Sequence, residues 1–195
     1  MLHFTSNNSA LTDAGEKITF QSESPKILIV LVGLPYSGKT TWANAVGCPI
    51  VCPDAVRQAY GVRFEKRLEH QVWATAFTMV SALFNAGHNF VILDACNTSV
   101  RRRSKWLRQD NGSFHDWRVV FKVIGTDYDT CINRAILAGD DKILRVITRM
   151  AQNFEPLNED ERWFNSEFGE GLETIPHLES QLLRPVMGPT NLDNL

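Results

Sequence analysis

Long apolar runs are missing from this sequence. No stretch approaches the ~18 apolar residues that a membrane-spanning helix needs, so no transmembrane helix is expected. Cysteine is scarce, with four in 195 residues. Cys48 and Cys52 lie four apart with no His/Cys pair downstream, and Cys96 and Cys131 stand alone. That spacing gives neither a disulfide framework nor a zinc site, so four reduced thiols are expected. Residues 1–20 lack the basic start and apolar block of a signal peptide, which points to a cytoplasmic location. Glycine and proline, at 12 and 8 residues, are too few for collagen-like or low-complexity chains. No internal repeat is visible.

A strong net charge is absent too, the total being −2. The balance is uneven, however. Residues 154–195 carry nine acids and two bases, whereas residues 1–153 carry 18 bases and 13 acids. The acidic end reads as solvated surface, and the basic remainder suits an anionic substrate. At 44% hydrophobic and 22% charged residues the composition is ordinary for a globular protein. The length favours a single domain, with residues 1–25 as a polar N-terminal tail.

Residues 26–32 read KILIVLV, which suits a strand buried on both faces of a parallel sheet. A glycine-rich turn follows, then a helix over 40–46. Residues 49–52 form a short second strand, and Asp54 can cap a helix reaching about Tyr60. Helical periodicity runs from 64 to 85, with Leu68, Val72, Ala76, Met79 and Leu83 near one face, and Gly87 stops it. Residues 90–93 and 117–124 read as further strands, and 99–109 as an arginine-rich helix between them. Helices over 127–138, 142–153 and about 159–168 complete the pattern. Strands alternate with helices, which predicts an α/β fold: a three-layer P-loop domain with a mostly parallel sheet of about five strands.

The segment Gly33-Leu34-Pro35-Tyr36-Ser37-Gly38-Lys39-Thr40 fits G-x-x-x-x-G-K-[ST]. Glycines let backbone N–H groups turn inward around a phosphate. Lys39 supplies a point charge to the β/γ oxygens, the Thr40 hydroxyl ligates Mg²⁺, and the next helix, entered through Thr41, points its positive end at the phosphates. The preceding strand and following helix are the context this motif requires.

Four further groups are candidates. Asp94, at the end of a strand, suits the water shell of the Mg²⁺, or else caps a turn. Asp54 follows the second strand, where the crevice of an α/β sheet lies. It is a helix cap or the base that takes a proton from an attacking hydroxyl, with Arg57 one turn on to hold an anion. The basic run 101–108 is a phosphate-binding face or a solvated helix face. Arg134, Lys142, Arg145 and Arg149 suit a helical lid that stabilises transferring charge, or a surface helix pair.

The segments GLPYSGKTTWA, PDAVRQAYG, VILDACNTSVRRR, INRAILAGD and VITRMAQNFEPLNEDE occur in this order over residues 26–161. Together they resemble P-loop kinases related to the phage-type polynucleotide 5′-hydroxyl kinases and the zeta-toxin-like kinases. The resemblance implies ATP and Mg²⁺ as cofactors and Asp54 as general base. It implies Arg57 on the acceptor's phosphate, Asn97 and Arg102 in substrate binding, and Arg134 as first lid arginine. The second lid arginine of such kinases, four residues on, is Ala138 here, and Arg145 or Arg149 is left to replace it.

These expectations divide the chain into a tail (1–25), a P-loop kinase domain (26–170, lid about 134–153) and a C-terminal extension (171–195). They favour transfer of the ATP γ-phosphate to the 5′-hydroxyl of a nucleic acid. A small-molecule kinase uses the same residues, and a nucleotide-dependent binding module with weak ATPase activity is the third possibility. Oligomeric state and the choice of ATP over GTP are not written in the sequence.

Overall fold

The computed structural model describes residues 26–62, 64–107 and 115–161, together with the backbone of three short strands before them. Those strands, β1 (His3–Thr5), β2 (Ser9–Leu11) and β3 (Lys17–Thr19), pair in that order as an antiparallel sheet. The expected polar tail thus includes strands, each too short to show a period-2 pattern in sequence.

The second sheet is parallel and runs β5-β6-β4-β7, with β4 spanning Ile27–Val32, β5 Ile50–Val51, β6 Phe90–Leu93 and β7 Arg118–Val123. Four strands are described where about five were expected. β4 is central because every side chain in ILIVLV is buried. Its alternation divides the core in two. Leu28, Val30 and Val32 pack with Ala76, Val80, Phe84 and Trp106 on one face; Ile27, Ile29 and Leu31 pack with Trp42 and Ala43 on the other. Each of the valine, leucine, isoleucine and phenylalanine side chains contributes roughly 1.5–3 kcal/mol on burial.

Helices α1 (Lys39–Val46), α2 (Pro53–Ala59), α3 (Glu69–Asn85) and α4 (Val100–Leu107) connect the strands. α2 starts at Pro53, where a missing N–H costs nothing. α3 begins five residues later than its periodicity suggested, after a turn over 66–68. Its buried stripe is Val72, Ala76, Val80 and Phe84, while Met79 is exposed. A strict four-residue spacing therefore sets the face that meets the sheet.

α5 (Tyr128–Leu137) and α6 (Asp141–Gln152) form an antiparallel pair beyond β7. Asp127 caps α5, accepting from the Thr130 N–H at 2.8 Å. Cys131, Ala135 and Ile147 make a small third core with Leu34. The chain then returns to the main core through Phe154 and Leu157. Residues 159–161 begin the expected last helix; 162–168 and the extension 171–195 lie outside the described residues. All four cysteines are free thiols, as expected. Among the described residues no helix is long and apolar enough to cross a membrane.

Candidate active site

The turn leaving β4 is held from several sides. The Gly33 N–H donates to the Cys96 carbonyl at 2.9 Å, and the Thr126 hydroxyl donates to the Ser37 carbonyl at 2.7 Å. A Cβ on Gly33 would lie 2.7 Å from the Ile124 carbonyl oxygen and 2.9 Å from Ser37 Oγ, so only glycine fits. Gly38 takes φ +99° as the N-cap of α1, a conformation open to glycine at little cost. No side chain caps α1 and no acid lies in its first turn, which leaves its N-terminal N–H groups and positive end for an anion.

Lys39 is buried against this turn, with Nζ donating to the Leu34 carbonyl at 2.5 Å and lying 3.4 Å from Ser37 Oγ. The Thr40 hydroxyl donates to Asp94 Oδ2 at 2.6 Å. Asp94 reaches this position because it directly follows β6, whose neighbour is β4. A hydroxyl and a carboxylate are hard oxygen donors. Such a pair fits Mg²⁺, which keeps most of its waters and takes the rest of its shell from phosphates. Among the described residues no cluster of three or more His, Cys, Asp or Glu side chains forms a fuller cage.

A cleft of about 1790 Å³ opens over this turn. Its walls include Pro35 to Thr41, Asp94 and Cys96, and also Asp54 and Arg57 of α2. That volume exceeds the roughly 300–1,000 Å³ of a single drug-sized site. From α5 and α6 it receives Arg134, Lys142 and Arg149. Arg134 donates to the Tyr36 carbonyl at 3.1 Å. Arg145 is exposed and does not line the cleft. Of the two arginines left by Ala138, Arg149 therefore lines the cleft and Arg145 does not.

At the α2 end Asp54 and Arg57 touch each other. Arg57 also meets Glu69 with both carboxylate oxygens, Nε to Oε1 and a terminal nitrogen to Oε2, at 2.7 Å each. Trp73 Nε1 donates to Glu69 Oε2 at 3.2 Å. The hydrogen bond from Arg57 holds the Glu69 carboxyl below its ordinary value, and the same bond raises Arg57. Arg57 and Arg102 lie 6.0 and 5.9 Å from the Trp73 ring centre. Glu69 and Trp73 were not singled out from sequence. Their i, i+4 spacing on α3 is visible there, but the partner 12 residues upstream is not.

Two expectations do not reach the cleft. Asn97 was expected to bind substrate. It is fully buried instead, with Nδ2 donating to the Leu31 carbonyl at 2.9 Å, and it holds φ +45° in the turn after β6. The basic run fares similarly. Arg103 is fully buried and bonded to Glu161, Arg101 and Lys105 face solvent away from the cleft, and Arg102 alone of the run's described residues lines it. The burial of Arg103 follows from helix phase and that of Asn97 from its bond to the Leu31 carbonyl, neither of which composition can reveal.

A family model described as an AAA domain matches residues 28–157. The chain belongs to this AAA domain family. The match begins in β4 and ends at Leu157, so it takes in the phosphate turn and the α5–α6 pair. No curated protein matches the sequence. Among solved structures, this AAA domain is similar to a chain of "Structure of Pnkp1/Rnl/Hen1 complex", at 24% identity and TM-score 0.51, over 58% of this chain and 40% of that one. It is similar to a chain of "Structure of the Pnkp1/Rnl/Hen1 RNA repair complex" at 19% identity and TM-score 0.49, over 71% of this chain and 49% of that one. A gluconokinase from Sinorhizobium meliloti 1021 is similar at 15% identity and TM-score 0.49, over 82% and 98% of the two chains. The chain thus spans less than half the length of the first two. The AAA domain has the P-loop kinase fold expected from its motifs.

Proposed function

We propose that this chain is a phosphotransferase that moves the γ-phosphate of ATP to a hydroxyl, the favoured acceptor being the 5′-hydroxyl of a nucleic acid. The observation that carries the proposal is the division of one cleft into two ends. The phosphate turn with Lys39, Thr40 and Asp94 forms one end, and the Asp54–Arg57 pair faces it from α2. A nucleotide switch has no need of the second end.

In this reading residues 33–41 cradle the ATP phosphates, and Lys39 leaves the Leu34 carbonyl for the β/γ oxygens. Thr40 and Asp94 hold Mg²⁺, which when bound neutralises charge on the phosphates. Arg57 and Arg102 hold the acceptor's phosphates. Asp54 accepts the hydroxyl proton as the oxygen–phosphorus bond forms and the bond to the β-phosphate oxygen breaks, releasing ADP. Arg134, with Lys142 and Arg149, closes over the transferring group as the lid of a kinase unit spanning 26–170. A second reading, a small-molecule kinase, draws on the charge at the acceptor end, where Asp54 and Glu69 balance Arg57 and Arg102.

The test uses γ-labelled ATP, Mg²⁺ and a 5′-hydroxyl oligonucleotide. Label is expected on the oligonucleotide, with Asp54→Asn lowering kcat by about 10²–10⁴ and Lys39→Ala abolishing transfer. A wild type that binds ATP, labels no oligonucleotide and phosphorylates small polyols or sugars would reject the favoured acceptor for the second reading.

A further inference from the structure

Tyr36 stands in the middle of the phosphate turn at φ +61°. That left-handed conformation is uncommon for any residue with a side chain and unfavourable for a bulky one. A glycine would adopt it without steric cost, yet a tyrosine occupies the position. Strain of this kind persists only where the surroundings hold it in place. Here the surroundings are the α5–α6 pair. The half-buried Tyr36 ring packs against the small third core of Leu34, Cys131, Ala135 and Ile147. Its hydroxyl donates to Asp140 Oδ2 at 3.4 Å, in the turn between the two helices. Asp140 is the N-cap residue of α6, but its side chain does not cap that helix. An aspartate there ordinarily accepts from the helix's own first N–H groups. This one is turned towards the tyrosine instead.

The backbone of the same residue makes the third link. A terminal nitrogen of Arg134, on α5, donates to the Tyr36 carbonyl at 3.1 Å. That nitrogen lies 3.8 Å from where a Cβ on Gly38 would stand. Gly38 is the N-cap of α1, the positive helix end left for an anion. Ring, hydroxyl and carbonyl of one residue therefore all meet the helix pair. We propose that Tyr36 is a positioning residue for phosphoryl transfer: it docks the α5–α6 pair on the phosphate turn and so sets where Arg134 stands. The ring supplies the packed area. The hydroxyl catches the turn between the helices at Asp140, and the carbonyl holds the guanidinium beside the N-cap of α1. Packing of the ring offsets the strained backbone beneath it. This inference rests on the nucleotide-binding and lid roles proposed above, and not on which acceptor is used.

The experiment makes two measurements on the full chain. Amide hydrogen exchange compares residues 128–152 with the strands β4, β6 and β7. Tyr36→Gly is expected to speed exchange over 128–152 by about tenfold or more while the strands keep their protection. Tyr36→Phe keeps the ring and is expected to stay within about threefold of the wild type. The second measurement is calorimetric titration with Mg²⁺ and a non-hydrolysable ATP analogue. Arg134→Ala is expected to weaken binding roughly tenfold in the wild type, the worth of one charge-assisted contact. It should weaken binding less than about threefold once Tyr36 is glycine, and by the full amount again in Tyr36→Phe. A merely structural role for Tyr36 would leave the cost of Arg134→Ala the same in every background. Unchanged exchange over 128–152 in Tyr36→Gly, or equal costs of Arg134→Ala in the two backgrounds, would overturn the proposal. Where Tyr36→Gly fails to fold, Tyr36→Asn takes its place, since asparagine tolerates the left-handed backbone and lacks the ring. A wild type that binds no analogue removes the nucleotide reading and this inference together. A wild type that binds it and labels no oligonucleotide removes only the favoured acceptor, and the coupling between Tyr36 and Arg134 is still expected.

Discussion

Arg103→Met should be among the most damaging single changes in this chain, although it lies in a run of five bases that resembles a surface helix. All five of its N–H groups are used inside the protein. Nε and one terminal nitrogen meet Glu161 at 2.7 and 3.0 Å, and the rest meet the carbonyls of Asn97, Glu155 and Pro156 at 3.0, 2.9 and 3.0 Å. Both partners of the ion pair are almost fully buried, at 0% and 2% exposure. Removing one side strands the Glu161 charge, which costs about 3–5 kcal/mol. With total stabilities of about 5–15 kcal/mol, that is a large share. For a urea m-value of about 2 kcal/mol/M the midpoint should fall by about 2 M. Urea unfolding followed by tryptophan fluorescence and circular dichroism measures this. The double variant Arg103→Met/Glu161→Gln removes the stranded charge and should regain about 2 kcal/mol. A single-variant cost below about 1 kcal/mol, or a double variant no more stable than Arg103→Met, would refute the reasoning.

Two further outcomes are expected. Gly33→Ala drives a methyl group into the Ile124 carbonyl and Ser37 Oγ, so it should cost about 1–3 kcal/mol and weaken nucleotide binding; wild-type melting and titration calorimetry would count against it. The lowered Glu69 carboxyl means that the fold favours its ionised form. Its contribution is complete above the ordinary carboxylate value of 4.5 and is lost as pH falls through the lower folded-state value. The stability difference between wild type and Glu69→Gln should therefore be constant near neutral pH and shrink below about pH 4, as acid-limb urea titrations would reveal.

Much of the fold was legible in sequence because its signals are local. The run ILIVLV announced a strand buried on both faces, and it is the central one. The P-loop motif joined that strand to a helix, and the structure places Lys39, Thr40 and Asp94 together at the join. What sequence did not disclose depends on helix phase and on partners distant in the chain. Arg102 and Arg103 are adjacent and equally basic, yet one lines the cleft and the other is sealed beneath it by Glu161, 58 residues away. Asn97 carried the mark of a site residue and proves to brace the turn below the site through Leu31. Glu69 was not singled out, because its importance comes from Arg57, 12 residues upstream.

The strand order has a consequence for how such a molecule can change. β6 lies between β4 and β5. The phosphate turn leaves β4, the segment carrying Asp54 and Arg57 leaves β5, and Asp94 leaves β6 midway. Neighbouring strands are about 4.8 Å apart, so the strands these segments leave are held two such steps from each other by the hydrogen-bond ladder. The sheet acts as a ruler. Under the proposed function, residues of α2 and α3 can then change what is held at the far mark without moving the strand that carries the near one.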